Sequence, residues 1–113
     1  MGAEADKVVV LVAAADRDQA RTIAGALVER RQAACVQLLP IESVYRWEGQ
    51  VQHDDEVLLL VKSRTDQLAA IEATVCSLHT YEVPEVVVLD VAGGHVPYLG
   101  WIDASLDEAP DAG

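Results

Sequence analysis

A chain of 113 residues, 51% of them hydrophobic, has material for one domain and one core. Eight Lys and Arg against 19 Asp and Glu leave a net charge of −11, which repels phosphate backbones and anionic lipid and argues against nucleic-acid and membrane partners. Such a charge suits cations or basic surfaces, although solubility alone also accounts for it.

Cys35 and Cys76 lie far apart and outside any CxxC or zinc-site spacing, so neither a disulfide framework nor a structural zinc is expected, and a reducing cytoplasmic setting fits. The opening Met-Gly-Ala-Glu-Ala-Asp carries no positive leader region. The apolar run at 8–15 is too short to cross a bilayer, and Asp6 stands where a myristoylation signal wants Ser or Thr.

In chain order, the continuous β-branched run at 8–14 predicts a central strand covered on both faces. Asp16 followed by Gln19 resembles a capping box, and Ala20, Ile23, Ala24, Leu27 and Val28 recur at helical spacing to about Arg31. Residues 34–47 read as a long strand, with Pro40 at a bulge or an edge. Glu48-Gly49 is a turn signal, after which 51–62 resumes strand character. Thr65 is a candidate cap for a second helix bearing Leu68, Ile71, Val75 and Leu78, broken at His79-Thr80. Residues 85–91 form the fourth strand. A Gly93-Gly94 turn precedes a short last helix with Pro97 in its first turn and Tyr98, Trp101, Ile102 and Ser105 on one face. One domain is expected over 1–106, with a frayed acidic tail at 107–113.

This order is that of an α+β, ferredoxin-like βαββαβ sandwich with both main helices on one face of an antiparallel sheet. Strands of about 13 residues reach roughly 43 Å, whereas a domain of about 100 residues is only about 34 Å across. The hairpin is therefore expected to overhang its own core. Val44, Tyr45, Trp47 and Val51 on that overhang need a cover, and another copy of the chain supplies one unless the hairpin bends back on its own sheet.

Five blocks in order carry a family resemblance over nearly the whole chain, from Val8 to about Ile102. They are Arg31-Gln-Ala-Ala-Cys35-Val36, Ser43-Val-Tyr45-Arg-Trp47-Glu-Gly49, Glu56-Val-Leu-Leu-Leu-Val-Lys62, His79-Thr-Tyr81-Glu82-Val-Pro84-Glu85 and Tyr98-Leu-Gly-Trp101-Ile102. Together they resemble the CutA divalent-cation tolerance family. The resemblance implies a ferredoxin-like homotrimer, related in architecture to PII-type signalling proteins, with inter-subunit clefts and a link to copper and other divalent metals. The chain departs from the family pattern at Gln37, Ser63, Thr80 and Asp90, and at Ala13 and Ala15. Thr80, in place of the usual Pro, bears on the loop that positions His79 and Glu82.

Cys35, His79 and Glu82 are the candidate metal ligands, a soft thiolate suited to Cu(I) beside an imidazole suited to Cu(II) or zinc. Each also has a plain role: Cys35 as a small buried hydrophobe, His79 as a helix-end cap. Cys76 reads as core or inert surface. Lys62, Tyr81, Glu82, Trp47, Tyr98 and Trp101 are the candidate residues of a ligand cleft, with a Lys62–Glu82 pair suited to an anionic or zwitterionic ligand or else to stabilising a trimer. His53-Asp54-Asp55-Glu56 resembles a hard-cation ligand set but reads as a solvated stretch beside the hairpin. The leading function is a non-enzymatic homotrimer that binds copper or another divalent metal. The alternatives are a PII-like signalling trimer or scaffold binding a small effector or an unknown protein partner, and an enzyme with Cys35 as nucleophile and His79 as base. No P-loop, GxGxxG run or Ser/His/Asp motif is present.

Overall fold

Strand β1 (Lys7–Ala14) is the apolar run of the sequence, and in a computed structural model that describes residues 6–107 it lies inside a four-stranded antiparallel sheet. The chain continues through α1 (Arg17–Glu29), β2 (Cys35–Trp47), β3 (Gln50–Arg64), a 3-10 turn (Thr65–Gln67), α2 (Leu68–Leu78), β4 (Val86–Asp90) and α3 (Val96–Asp107). Sheet order is β2-β3-β1-β4. The protein is thus mixed α+β, with three helices on this sheet. None of the described helices is long and apolar enough to cross a membrane.

Alternation of side chains along each strand sends Val8, Val10, Val12, Leu59 and Val61 to one face. There they pack with Ala20, Ile23 and Leu27 of α1 and Ile71 and Val75 of α2 in the main core. The α1 stripe is narrower than its spacing predicts, because Val28 is 43% exposed. The start of α1 follows the capping logic. Asp16 Oδ1 accepts from the Gln19 amide at 2.8 Å, while Gln19 Oε1 accepts from the amide of Ala15, one residue earlier than in a capping box. Thr65 does not cap α2. A 3-10 turn intervenes, and the Thr65 hydroxyl accepts the Asp6 amide instead.

The β2-β3 ladder runs unbroken from Cys35↔Lys62 to Trp47↔Gln50, so Pro40, opposite Val57, sits on an edge strand without a bulge. The turn holds two residues, Glu48 and Gly49, at φ of 51° and 79°; positive φ at both positions matches the right-handed twist of a tight hairpin. Strand β1 pairs with β3 only as far as Ala14↔Val57. Residues 50–56 therefore pair with 41–47 alone and extend past the core, giving the molecule a longest dimension of 46 Å.

On the opposite sheet face, α3 covers one end, where Ile102 and Leu106 pack with Ala34 and Leu99. Tyr98 and Trp101 on this helix are exposed, with ring centroids 5.5 Å apart. The Gly93-Gly94 segment is irregular, and neither glycine adopts positive φ. Asp107 closes α3 rather than opening a tail; 108–113 lie outside the described residues.

A clasp holds α3 to the sheet. The buried Arg64 guanidinium donates to Asp66, Asp103 and Asp107, and Lys7 pairs with Asp103 at 2.8 Å. Asp107 is held below the usual carboxylate range by its hydrogen bond from Arg64, and Asp103 by those from Lys7 and then Arg64. Arg64→Ala is expected to cost about 2–3 kcal/mol, below the loss typical of a broken buried pair because the aspartates face solvent. Depressed carboxylate values place the clasp's contribution above the unfolded range near pH 4, with loss as pH falls through the folded values. Urea unfolding from pH 7 to 3 checks both: the deficit of Arg64→Ala should shrink with acid, and a constant deficit would mean the clasp carries no charge-linked stability.

Candidate functional site

Where β1 ends and the hairpin continues, the sheet leaves a notch, and the 79–85 segment folds across it. Even positions of β3 and odd positions of β2 share the face away from α1 and α2. Glu56 therefore continues the row of Leu60 and Leu58, and Tyr45 and Trp47 continue the row of Leu39 and Ile41. Together with Tyr81, Glu82 and Glu85 from the segment after α2, these side chains enclose a cleft of about 710 Å³, floored by Ala13.

His79 shapes this cleft without lining it. Its Nε2 contacts the Ala13 carbonyl at 2.6 Å, and its Nδ1 accepts the Tyr81 amide at 3.0 Å. A carbonyl only accepts and an amide only donates, so the ring is the Nε2–H tautomer with both nitrogens occupied. It ties the end of α2 to β1 and sets the Tyr81 ring against its own, centroids 4.5 Å apart.

The Tyr81 hydroxyl then donates to Glu56 Oε2 at 2.8 Å, and the Tyr45 hydroxyl donates to Asp54. Burial, followed by the hydrogen bond to Glu56, pushes the Tyr81 phenol well above its ordinary range, so it stays a donor at any physiological pH. Glu56 is only 8% exposed. The Glu85 carboxyl is raised by desolvation first and by the charge of Glu56 second. No Lys, Arg or His is among the described residues lining the cleft.

The other candidates lie elsewhere. Cys35 is opposite Lys62 on β2, with its thiol free and half-buried, and the Lys62 ammonium sits 5.8 Å from the Tyr98 ring centroid beside Trp101. Six residue steps along β3 separate Lys62 from Glu56, about 20 Å at strand rise. Cys35 is likewise about 13 Å along the sheet from the Ala13–Leu58 pair where His79 docks. Within one chain, then, Cys35, His79 and Glu82 do not converge, a Cys35–His79 dyad does not form, and Lys62 and Glu82 do not pair. Within one chain the candidate cleft residues fall into two groups: a cationic aromatic patch of Lys62, Tyr98 and Trp101, and an acidic notch holding Trp47, Tyr81 and Glu82.

Among the described residues, no group of three or more His, Cys, Asp or Glu side chains is arranged to hold a metal ion. The His53–Glu56 stretch also divides: Asp54 and Glu56 face the tyrosines, His53 and Asp55 the opposite side. Glu56 is the residue that a solvated reading of this stretch misses. Its parity with Leu58 and Leu60 was the available signal. Cys76 is exposed.

The profile of the CutA1 divalent ion tolerance protein family matches residues 8–105. The chain is 48% identical to the divalent-cation tolerance protein CutA of Thermus thermophilus over 83% of its own length and 92% of that protein. It is 42% identical to a chloroplastic CutA protein of Oryza sativa, spanning 90% of itself but only 58% of the relative. Among solved structures, CutA1 from Oryza sativa superposes with a TM-score of 0.88 at 41% identity, covering 92% of this chain and 96% of that one. The Thermus thermophilus structure gives 0.83 at 47%, covering 85% and 94%. On the family match over residues 8–105 and the identity to these relatives, the chain belongs to the CutA1 divalent ion tolerance family.

Proposed function

We propose that this protein is a cytoplasmic homotrimer of ferredoxin-like subunits that binds copper or another divalent metal and takes part in the response to metal ions without turning over a substrate. Family membership supports the link to divalent cations. The strand order β2-β3-β1-β4, with α1 and α2 on one face, supports the ferredoxin-like reading. Free thiols at Cys35 and Cys76 suit a reducing compartment.

The observation that carries the assembly is the half of the sheet that α3 leaves uncovered. Leu39, Leu58, Leu60, Leu11 and Val87 lie side by side there, with Val87 46% and Leu89 49% exposed, and the hairpin, its outer edges unpaired, extends beside them. A continuous apolar face of this kind with an exposed strand edge calls for burial against another protein surface, and identical copies meet it most simply. Metal is a separate matter, because the residues of one chain do not fit a shared centre of Cys35, His79 and Glu82. A metal held by them would draw its ligands from different copies.

Native mass spectrometry of metal-stripped protein at low micromolar concentration, with copper supplied from a competing chelator, tests both parts. The expected species is a trimer carrying one or three coppers, lost in Cys35→Ala. A monomer would sink the assembly, and a copper-free trimer the metal reading. The notch favours a second reading, a PII-like signalling or scaffold protein that binds a small effector, since its volume lies in the range of small-molecule sites.

A further inference from the structure

Side chains, rather than backbone, fasten the segment that joins α2 to β4. Among the described residues, positions 80–84 take part in no backbone–backbone hydrogen bond, and Thr80, Glu82 and Val83 are exposed. The attachments all lie at the first residues. The Tyr81 amide donates to His79 Nδ1, the Tyr81 hydroxyl donates to Glu56, and Gln19 Nε2 donates to the Thr80 hydroxyl at 2.9 Å. His79 itself is docked on the Ala13 carbonyl. Each of these bonds closes within one chain and does not depend on what covers the sheet face. A segment with so few backbone bonds and so little buried surface belongs to the part of a fold that opens at low cost.

Gln19 stands at the centre of this attachment. Its Oε1 accepts from the Ala15 amide at 2.9 Å, where β1 passes into α1, while its Nε2 reaches Thr80, so one side chain in the first turn of α1 ties the strand–helix junction to the segment after α2. Its backbone is held in turn by Asp16. Proline at position 80 would carry no hydroxyl and would hold the chain by the stiffness of its ring. Thr80, in place of the usual Pro, exchanges that stiffness for a bond that can break. We propose that residues 80–84 are a strap hinged after His79 and latched by Gln19 on Thr80. Release of the latch lifts Tyr81 from His79 and Glu56 while the sheet and helices stay folded. Gln19 is thus a positioning residue for Tyr81 and Glu82. Neither a metal nor a second copy is needed for it.

Native-state hydrogen exchange of the full-length, metal-free protein, followed amide by amide by NMR, tests the strap. The Tyr81 amide is the reporter, because its bond to His79 breaks on opening, and the amide of Val10 in the central strand is the reference. Tyr81 is expected to exchange at least about tenfold faster than Val10, and at a rate that low urea leaves unchanged while Val10 accelerates, since opening of the strap exposes little surface. Thr80→Val removes the hydroxyl but keeps the branched shape, and should speed Tyr81 about three- to tenfold, the scale of one lost hydrogen bond. Gln19→Ala should do the same in the unaltered chain and add nothing in the Thr80→Val background, as two halves of one interaction must. Leu59→Ala, a core change, should speed Val10 and leave Tyr81 as it was. A Tyr81 rate that follows Val10 in urea and in Leu59→Ala would overturn the proposal, because the strap would then open only when the domain unfolds or would be sealed in the assembly. No response of Tyr81 to Thr80→Val, or additive effects of the two latch variants, would overturn it as well.

Discussion

Leu60→Asp is expected to give a monomer at concentrations where the unaltered chain is expected to form the proposed trimer. Leu60 is central on the uncovered sheet face, opposite Leu11 of β1 and Gln37 of β2, with Val87 of β4 beyond Leu11 in the same row. In a single chain this position is only half-buried, so a carboxylate there remains hydrated and the main core on the other face is untouched. In an assembly that buries the face, each copy would carry an unpaired charge into the interface at a cost of several kcal/mol, weakening association on the order of a thousandfold. Native mass spectrometry and sedimentation at low micromolar concentration check it. Val28→Asp, on an exposed site of α1, is the control expected to leave the mass unchanged. A Leu60→Asp chain that still reports three copies would place the interface elsewhere and leave the apolar face without a purpose.

The second large effect is on the core. Leu59 is fully buried between Val12 of β1 and Leu38 of β2, beneath the helix pair. Leu59→Ala removes its outer methyl groups from a site hemmed by two paired strands, where the backbone has little freedom to close the space. A loss of about 3–4 kcal/mol is expected, the transfer free energy of the lost atoms plus the residual cavity. Subunit association adds to apparent stability, so the comparison belongs on the monomeric Leu60→Asp background, by urea unfolding. A lower midpoint with unchanged slope reports the cavity. A loss under about 1 kcal/mol would mean that the strands relax around the site and that β3 is less rigid than its two ladders imply.

Much of the notch was within reach of the sequence, but not its membership. Trp47, Tyr81 and Glu82 were singled out and do line it. Glu56 was set aside with its acidic neighbours, although alternation from Leu60 and Leu58 aims it at the same face. Composition of a stretch says that it is polar; parity within a strand says which of its residues are not solvated. Lys62, Tyr98 and Trp101 belong to the α3 end, about 20 Å along β3 from Glu56, and no spacing in the chain reveals that separation. His79 looks like a free ligand until the Ala13 carbonyl and the Tyr81 amide are seen to take both ring nitrogens.

The order of elements, the two-residue hairpin turn and the overhang of that hairpin followed from the sequence by itself, because each depends on interactions local in the chain: side-chain period, positive φ at a glycine turn and residue rise. Family membership was also legible, through blocks of residues in order. Only the tertiary structure decided that α3 clasps the sheet through Arg64, that Cys35 and His79 stand apart, and that Tyr81 reaches Glu56 across 25 positions of chain. Those outcomes depend on which end of a strand a distant segment docks against. That choice is set by the summed packing of helices on a sheet whose two faces are both apolar, a property of the whole chain rather than of any stretch of it.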